Sequence, residues 1–380
     1  MRLVAPWGIF GSGNIGDEAM LKGFASLVKS YPHFLSIRIA SQNPAHVTTV
    51  EPTFCYYHQN GRSLSKLWTM WRSEGQLIVG DTPINDRLGS WPLEDLSRLV
   101  EAARSRKQSV AFIGVGTEPL HEERSKRIMR ETLAPSVTHW SVRSTRDYVR
   151  LQEYGVDPAR ISVACDLAWL LKPVDSAFGE QYFRRLGLEG SALTIGTNFT
   201  SETFVRRESP DLLARSAQVL DALVDQYDAN IVFFCNEVRP TDGFDKVAND
   251  EVRALMTHRE ATYVVTNEYW TPSQMQSLIG MCNYTIGMRY HFCVFSALQG
   301  VPFIAIERTE KVGDLCWQLE WPYGVSFGDL TTTRVLGIFS EMMARGTELL
   351  EALESRVHRM RDQAGLNSTA LDAMSSESGS

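Results

Sequence analysis

Short apolar runs of strand length alternate with helical patterns along almost the whole chain, and this alternation stops and restarts once. That pattern reads as βαβ units, whose parallel strands need a crossover helix between them. The first series runs through "RLVAPWGIF", a helix from about Asp17 to Lys29, "LSIRIAS", "GQLIVG", "SVAFIGVG", "THWSVR" and "ISVACD". "LKPVDSAFGE" interrupts it with a proline and no periodicity, as a linker does. The second series holds "ALTIGTNF", "NIVFFCN", "TYVVTN", "YTIGM" and "VPFIAI", each followed or preceded by a helical segment. The expected fold class is α/β, with two Rossmann-like domains facing a cleft. The expected boundaries are 1–172 and 173–332 for the two domains, 333–365 for C-terminal helices packing back across them, and 366–380 for a disordered polar tail.

Bulk properties narrow the function classes. The net charge of −7 over 380 residues speaks against a nucleic-acid binder, which normally presents a basic face. A small anionic ligand stays compatible, because a local basic pocket can sit in an acidic protein. No apolar run reaches the length of a bilayer span, and the start lacks a signal-peptide pattern. The six cysteines lie far apart without metal-site or redox spacing, so they read as buried reduced thiols and the expected location is cytoplasmic. Trp68 and Trp71 stand at helical spacing and read as a core or interdomain face.

In open α/β sheets ligands bind beyond the carboxyl ends of strands, where helix N-termini offer unpaired N–H groups. Three such junctions carry chemistry. In "GIFGSGNIGDEAMLKGF", Gly11, Gly13 and Gly16 spell G-x-G-x-x-G between a strand and a helix. The next strand ends without the acidic residue a ribose needs, and Asp17 and Glu18 in the first helical turn would repel a pyrophosphate. Two readings remain: a glycine turn made for tight packing, or a loop whose Asn14, Asp17 or Glu18 grips sugar hydroxyls. In "THWSVRSTRDYV", Arg143 ends a strand and Ser144 caps the following helix, with Asp147 three residues on. In "YTIGMRYHFCVFSALQG", Arg289 and His291 share one strand-to-helix junction. A guanidinium grips carboxylate or phosphate in a fork, and an imidazole supplies a proton near neutral pH. An arginine from each domain, with Lys311 beyond the next strand, points to a small dianion or trianion as ligand.

These segments, in this order, resemble the polysaccharide pyruvyl transferase family: "GNIGDEAML", "GVGTEPL", "SVRS", "VACDLAWLL" and "IGMRYHFCVFSALQGVPFIAI", spanning about Trp7 to Lys311. "GMRYH" and "SVR" carry most of the weight. The resemblance implies a GT-B-like glycosyltransferase-type fold and a transferase that moves the enolpyruvyl group of phosphoenolpyruvate onto two hydroxyls of a sugar. The products are a pyruvate ketal and phosphate. It implies His291 as general acid, with Arg143 and Arg289 binding the donor, in polysaccharide or exopolysaccharide biosynthesis. The implied acceptor is a sugar, lipid-linked sugar or polysaccharide, compatible with peripheral association with membrane glycan assembly. Asp17 is the candidate base over Glu18 and Asp81. Gly13, Asn14, Gly16, Glu18, Ser141, Ser144 and Lys311 complete the candidate substrate-binding set. The scheme calls for no metal and no cofactor, with phosphoenolpyruvate as co-substrate.

Two departures stand out. Where the family has a glycine triplet, this chain reads "IVGDTPINDRLG", bringing in Asp81, Asp86 and Arg87. The family's D-P-A reads "CDLAW", which keeps Asp166 and replaces the proline by Leu167. The rival readings are a GT-B-type glycosyltransferase using a nucleotide sugar, and a non-catalytic glycan-binding relative.

Overall fold

A computed structural model of the chain describes residues 1–59, 69–87, 89–188, 193–238 and 244–377. The chain divides into two compact units. The first comprises Met1–Ser12, Asp17–Leu171 and Met360–Ser380, and the second comprises Gly13–Gly16 and Lys172–Arg359.

The first unit is built on seven strands: β1 (Arg2–Trp7), β2 (Ser36–Ser41), β3 (Cys55–His58), β4 (Gly75–Val79), β5 (Ser109–Val115), β6 (His139–Val142) and β7 (Ile161–Val163). They pair in parallel in the order β3-β2-β1-β4-β5-β6-β7. The order reverses between β1 and β4, which opens a switch point at their carboxyl ends. Helices cover the sheet, so β4 is buried at every position, as the unbroken apolar runs of the sequence require. One face packs the helix Trp91–Ser105 through Leu93, Leu96 and Val100 against Phe112 and Trp140, whose rings stack 4.2 Å apart.

The second unit repeats the plan with β8 (Thr194–Asn198), β9 (Asn230–Phe233), β10 (Thr262–Val264), β11 (Tyr284–Gly287), β12 (Phe303–Ile306) and β13 (Gly324–Val325). Its parallel order is β10-β9-β8-β11-β12-β13, with the switch between β8 and β11. A Thr-Pro start fixes the helix Pro272–Ile279, where Thr271 and Gln274 form a full capping box. No helix among the described residues is long and apolar enough to cross a membrane.

Three expectations need correction. Ser368–Glu377 form a helix rather than a disordered tail. Its small and apolar residues Ala370, Leu371 and Met374 are fully buried, so the segment has a core to join despite its serines. Asn367 locks its entry, donating from Nδ2 to the carbonyls of Cys165 and Ala364, both at 2.9 Å. Cys55 lies exposed on the edge strand β3, whereas the other five cysteines are buried, and all six are unbridged. Trp71 is 69% exposed, not part of a core; Trp68 falls outside the described residues.

If the terminal helix is part of the first unit's core, Leu371→Ala should destabilise the protein by about 2–5 kcal/mol, the usual cost of emptying a buried leucine site. Urea unfolding followed by circular dichroism measures this, and an unchanged midpoint would contradict the packing.

Candidate functional site

The carboxyl ends of the first sheet hold Arg143, one residue past β6 and only 8% exposed. Its guanidinium donates from Nη1 to Asp166 Oδ2 at 3.1 Å and from Nη2 to Thr82 Oγ1 at 2.7 Å. Asp166 is fully buried and follows β7. Its other oxygen accepts the Ala168 N–H, so the carboxylate is held at both ends without the family's proline. Gly116, of "GVGTEPL", lies under the guanidinium: a Cβ there would stand 1.9 Å from Nη2. The motif glycine is thus a vacancy shaped for an arginine.

Asp147 does not pair with Arg143. It accepts the N–H and hydroxyl of Thr117 and the hydroxyl of Ser144, while Ser144 caps the helix Thr145–Glu153 by accepting the Asp147 N–H at 3.1 Å. Ser141 donates to Asn367 Oδ1 at 2.6 Å. Both candidate serines are therefore engaged in building the unit.

Asp17 and Glu18 lie in the first turn of the helix Ile15–Val28 and are 2% and 0% exposed. Glu18 Oε1 accepts the Gly11 N–H at 2.7 Å, so this carboxylate shapes the glycine turn. The departures at 80–87 have local explanations. Gly80 and Asp81 both take the left-handed conformation that favours glycine (φ 65° and 62°), so the turn persists with aspartate in the second position. Asp86 accepts the N–H groups of His121 and Glu122, and Arg87 pairs with Glu118 at 2.6 Å.

In the second unit, Arg289 is the N-cap residue of the helix Tyr290–Leu298 and is 7% exposed. Its guanidinium does not stand open for an anion. Nε and Nη2 both donate to Asp245 Oδ1, at 2.9 and 2.6 Å. Nη2 also lies 2.6 Å from Glu237 Oε2, and Nη1 donates to Glu202 Oε1 at 2.8 Å. Burial opposes the charge, but Asp245, Glu237 and Glu202 outweigh it and hold the arginine more firmly protonated than usual. Arg308, beyond β12, pairs with the second oxygen of Glu202 and is brought down to about 10 by burial and the neighbouring Arg289 charge. Glu202 is half-buried, which opposes its charge, yet Arg308, Arg289 and Lys311 together lower its pKa.

His291 is the second residue of the same helix and is 7% exposed. Its ring lies against Gly16, where a Cβ would stand 2.0 Å from Nδ1. Gly13–Gly16 pair with the turn after β9: Val238 N–H donates to Gly13 O at 2.7 Å and Ile15 N–H to Asn236 O at 3.0 Å. Asn14 Oδ1 accepts from Gly16 N–H at 3.1 Å and from Asn236 Nδ2 at 3.3 Å. Lys311 follows β12, in the first turn of the helix Glu310–Gln318.

Sequence reading singled out the junction after β11 in this unit, and Lys311 beyond β12. Glu202 after β8, Glu237 after β9 and Arg308 after β12 occupy equivalent strand ends in "TNFTSET", "NIVFFCNE" and "IERTEK", so the same rule applied to every strand would have found them. Asp245 carries no such signal, because it lies on a helix twelve residues beyond its strand.

The two glycine cradles are directly testable. Gly116→Ala should displace the guanidinium of Arg143, and Gly16→Ala should displace the His291 ring. Crystal structures of the variants with both side chains unmoved would contradict these contacts.

Comparison with known proteins places this geometry. No curated protein matches the chain in sequence. Among solved structures, HepE of Anabaena, crystallised with UDP and glucose, superposes with a TM-score of 0.65 at 10% identity, covering 99% of this chain and 100% of that one. The UDP-GlcNAc 2-epimerase of Neisseria meningitidis bound to UDP-GlcNAc gives 0.59 at 10% identity, over 98% and 99% of the two chains. A glycosyltransferase from Rickettsia africae gives 0.53 at 12% identity, over 98% and 95%. At such identities the likeness concerns the fold, which is α/β with two Rossmann-like domains of the GT-B-like class. Residues 14–310 match the sequence model of one family, described as polysaccharide pyruvyl transferase. Asn14, Arg143, Arg289 and His291 all fall inside that match, and the chain belongs to the polysaccharide pyruvyl transferase family.

Proposed function

We propose that the protein transfers the enolpyruvyl group of phosphoenolpyruvate to two hydroxyls of a sugar, forming a cyclic pyruvate ketal and releasing phosphate. The observation that carries the reading is the placement of His291. A family match over most of the chain coincides with an imidazole at a strand-to-helix junction, 7% exposed and seated on a motif glycine.

The vinyl CH₂ of the donor is a weak base, so its protonation needs a fixed acid; His291 in imidazolium form delivers that proton. Carbon C2 then carries oxocarbenium character and takes the first acceptor hydroxyl. Phosphate departs from C2, and the second hydroxyl closes the ketal. Of the two hydroxyl protons, one replaces the proton given by the acid and the other leaves with phosphate, so no redox partner enters.

Arg143 and Lys311 are the cations assigned to the donor's carboxylate and phosphate. Arg289 serves indirectly, since its fork already rests on three carboxylates. Asp17 keeps its assignment as the base that receives a hydroxyl proton, with Asn14 and the backbone of Gly13 and Gly16 on the acceptor sugar. The acceptor class is a sugar, lipid-linked sugar or polysaccharide.

The decisive experiment incubates the enzyme with phosphoenolpyruvate and a panel of glycosides, following phosphate release and the mass gain of one pyruvate less water. UDP-glucose serves as comparator donor, because nucleotide-sugar complexes are found among proteins of this fold. Transfer of glucose without pyruvate would replace the reading by a glycosyltransferase. His291→Ala should lower turnover by about 10²–10⁴-fold if the ring is the acid. Arg143→Lys should raise KM for phosphoenolpyruvate, since the lysine loses the fork; unchanged kinetics in either variant would remove that residue from the scheme.

A further inference from the structure

Asp245 is fully buried and accepts from both sides of its carboxylate. Its Oδ1 receives both Nε and Nη2 of Arg289. Its Oδ2 receives three further donors: Asn236 N–H at 2.9 Å, Glu237 N–H at 3.1 Å and Asn198 Nδ2 at 3.1 Å. One carboxylate therefore fixes a cation with one oxygen and a turn of backbone with the other. That turn, Asn236–Glu237, is the one that receives Gly13–Gly16, through Ile15 N–H to Asn236 O, Asn236 Nδ2 to Asn14 Oδ1, and an antiparallel bridge between Asn14 and Glu237. Gly16 in turn forms the floor on which the His291 ring lies.

We infer that Asp245 is the positioning residue that holds Arg289 and His291, both at the N-terminus of the helix Tyr290–Leu298, in one geometry, acting on the imidazole through Asn236, Asn14 and Gly16. The inference rests on the proposed role of His291, and adds to it a residue that touches neither the ring nor a substrate. A backbone turn held by a single ionised acceptor has a fixed position only while all its donors stay aligned. Asparagine in that place keeps the shape but turns half of the acceptor into a donor, so either the arginine side or the backbone side must let go. Charge adds a second signature. Asp245, Glu202 and Glu237 face Arg289, Arg308 and the nearby Lys311. Removing one negative charge leaves the cluster more positive, which favours a trianionic donor while the acid drifts out of place.

The test uses the full-length protein labelled with ¹⁵N-histidine, with the His291 ring signals identified by their loss in His291→Gln. Asp245→Asn should move those signals while the signals of histidines elsewhere in the fold hold. Asn236→Ala, which removes the side-chain bond to Asn14 Oδ1 and leaves the partners of Arg289 in place, should move them too, and it decides the matter if Asp245→Asn fails to fold. In kinetics, kcat of Asp245→Asn should drop by about 10²-fold, the scale of an ångström-level misplacement, with KM for phosphoenolpyruvate unchanged or lower. Asp245→Glu should recover part of kcat. Unmoved His291 signals in a folded variant, or a rise in KM with kcat intact, would overturn the inference. If wild type releases no phosphate from phosphoenolpyruvate, the proposed function falls, and the ring signals still decide the role of Asp245.

Discussion

A guanidinium taken out of water costs several kcal/mol unless its partners go with it, and the second unit is organised around meeting that demand. Arg289 is supplied with carboxylates from after β8, from after β9 and from the helix Phe244–Leu255, each reaching a different edge of the fork. Removing any one leaves a buried charge short of a partner, a defect worth about 3–5 kcal/mol in comparable sites. The arrangement is therefore a constraint on four chain segments at once. It holds the N-terminus of the helix that carries His291 against the turns on either side of it.

The first unit solves the same problem on a smaller scale. Arg143 is nearly as buried as Arg289 and pairs with the carboxylate of Asp166, while Thr82 accepts from a second nitrogen. Around Arg289 three carboxylates converge on one guanidinium.

The layered fold was legible because buried parallel strands announce themselves as largely apolar runs, as β5 and β12 do. The strand-end rule led to Arg143, Arg289 and His291 from residue type and place alone. It did not disclose what each faces. Nothing in "GMRYH" tells that the arginine would meet Asp245, because contacts between segments more than forty residues apart leave no local trace. Glycine is ambiguous for a related reason. Gly16 and Gly116 look like turn residues in the sequence, yet what requires them is a side chain arriving from elsewhere. The terminal helix was misread because "NSTALDAMSSESGS" has the composition of a solvated tail, and three well-spaced small and apolar residues were enough to anchor it.

The first unit takes its last residues, Met360–Ser380, from the far end of the chain, after the whole stretch Lys172–Arg359 of the second. A ribosome releases these parts in order, so the first unit's sheet emerges early and waits, lacking Leu371 and Met374 until the helix Ser368–Glu377 is translated. The second unit, by contrast, has all its residues in hand before the helix Ser368–Glu377 is translated. Maturation of the nascent polypeptide thus runs against the numbering: the half that starts first is the half that finishes last.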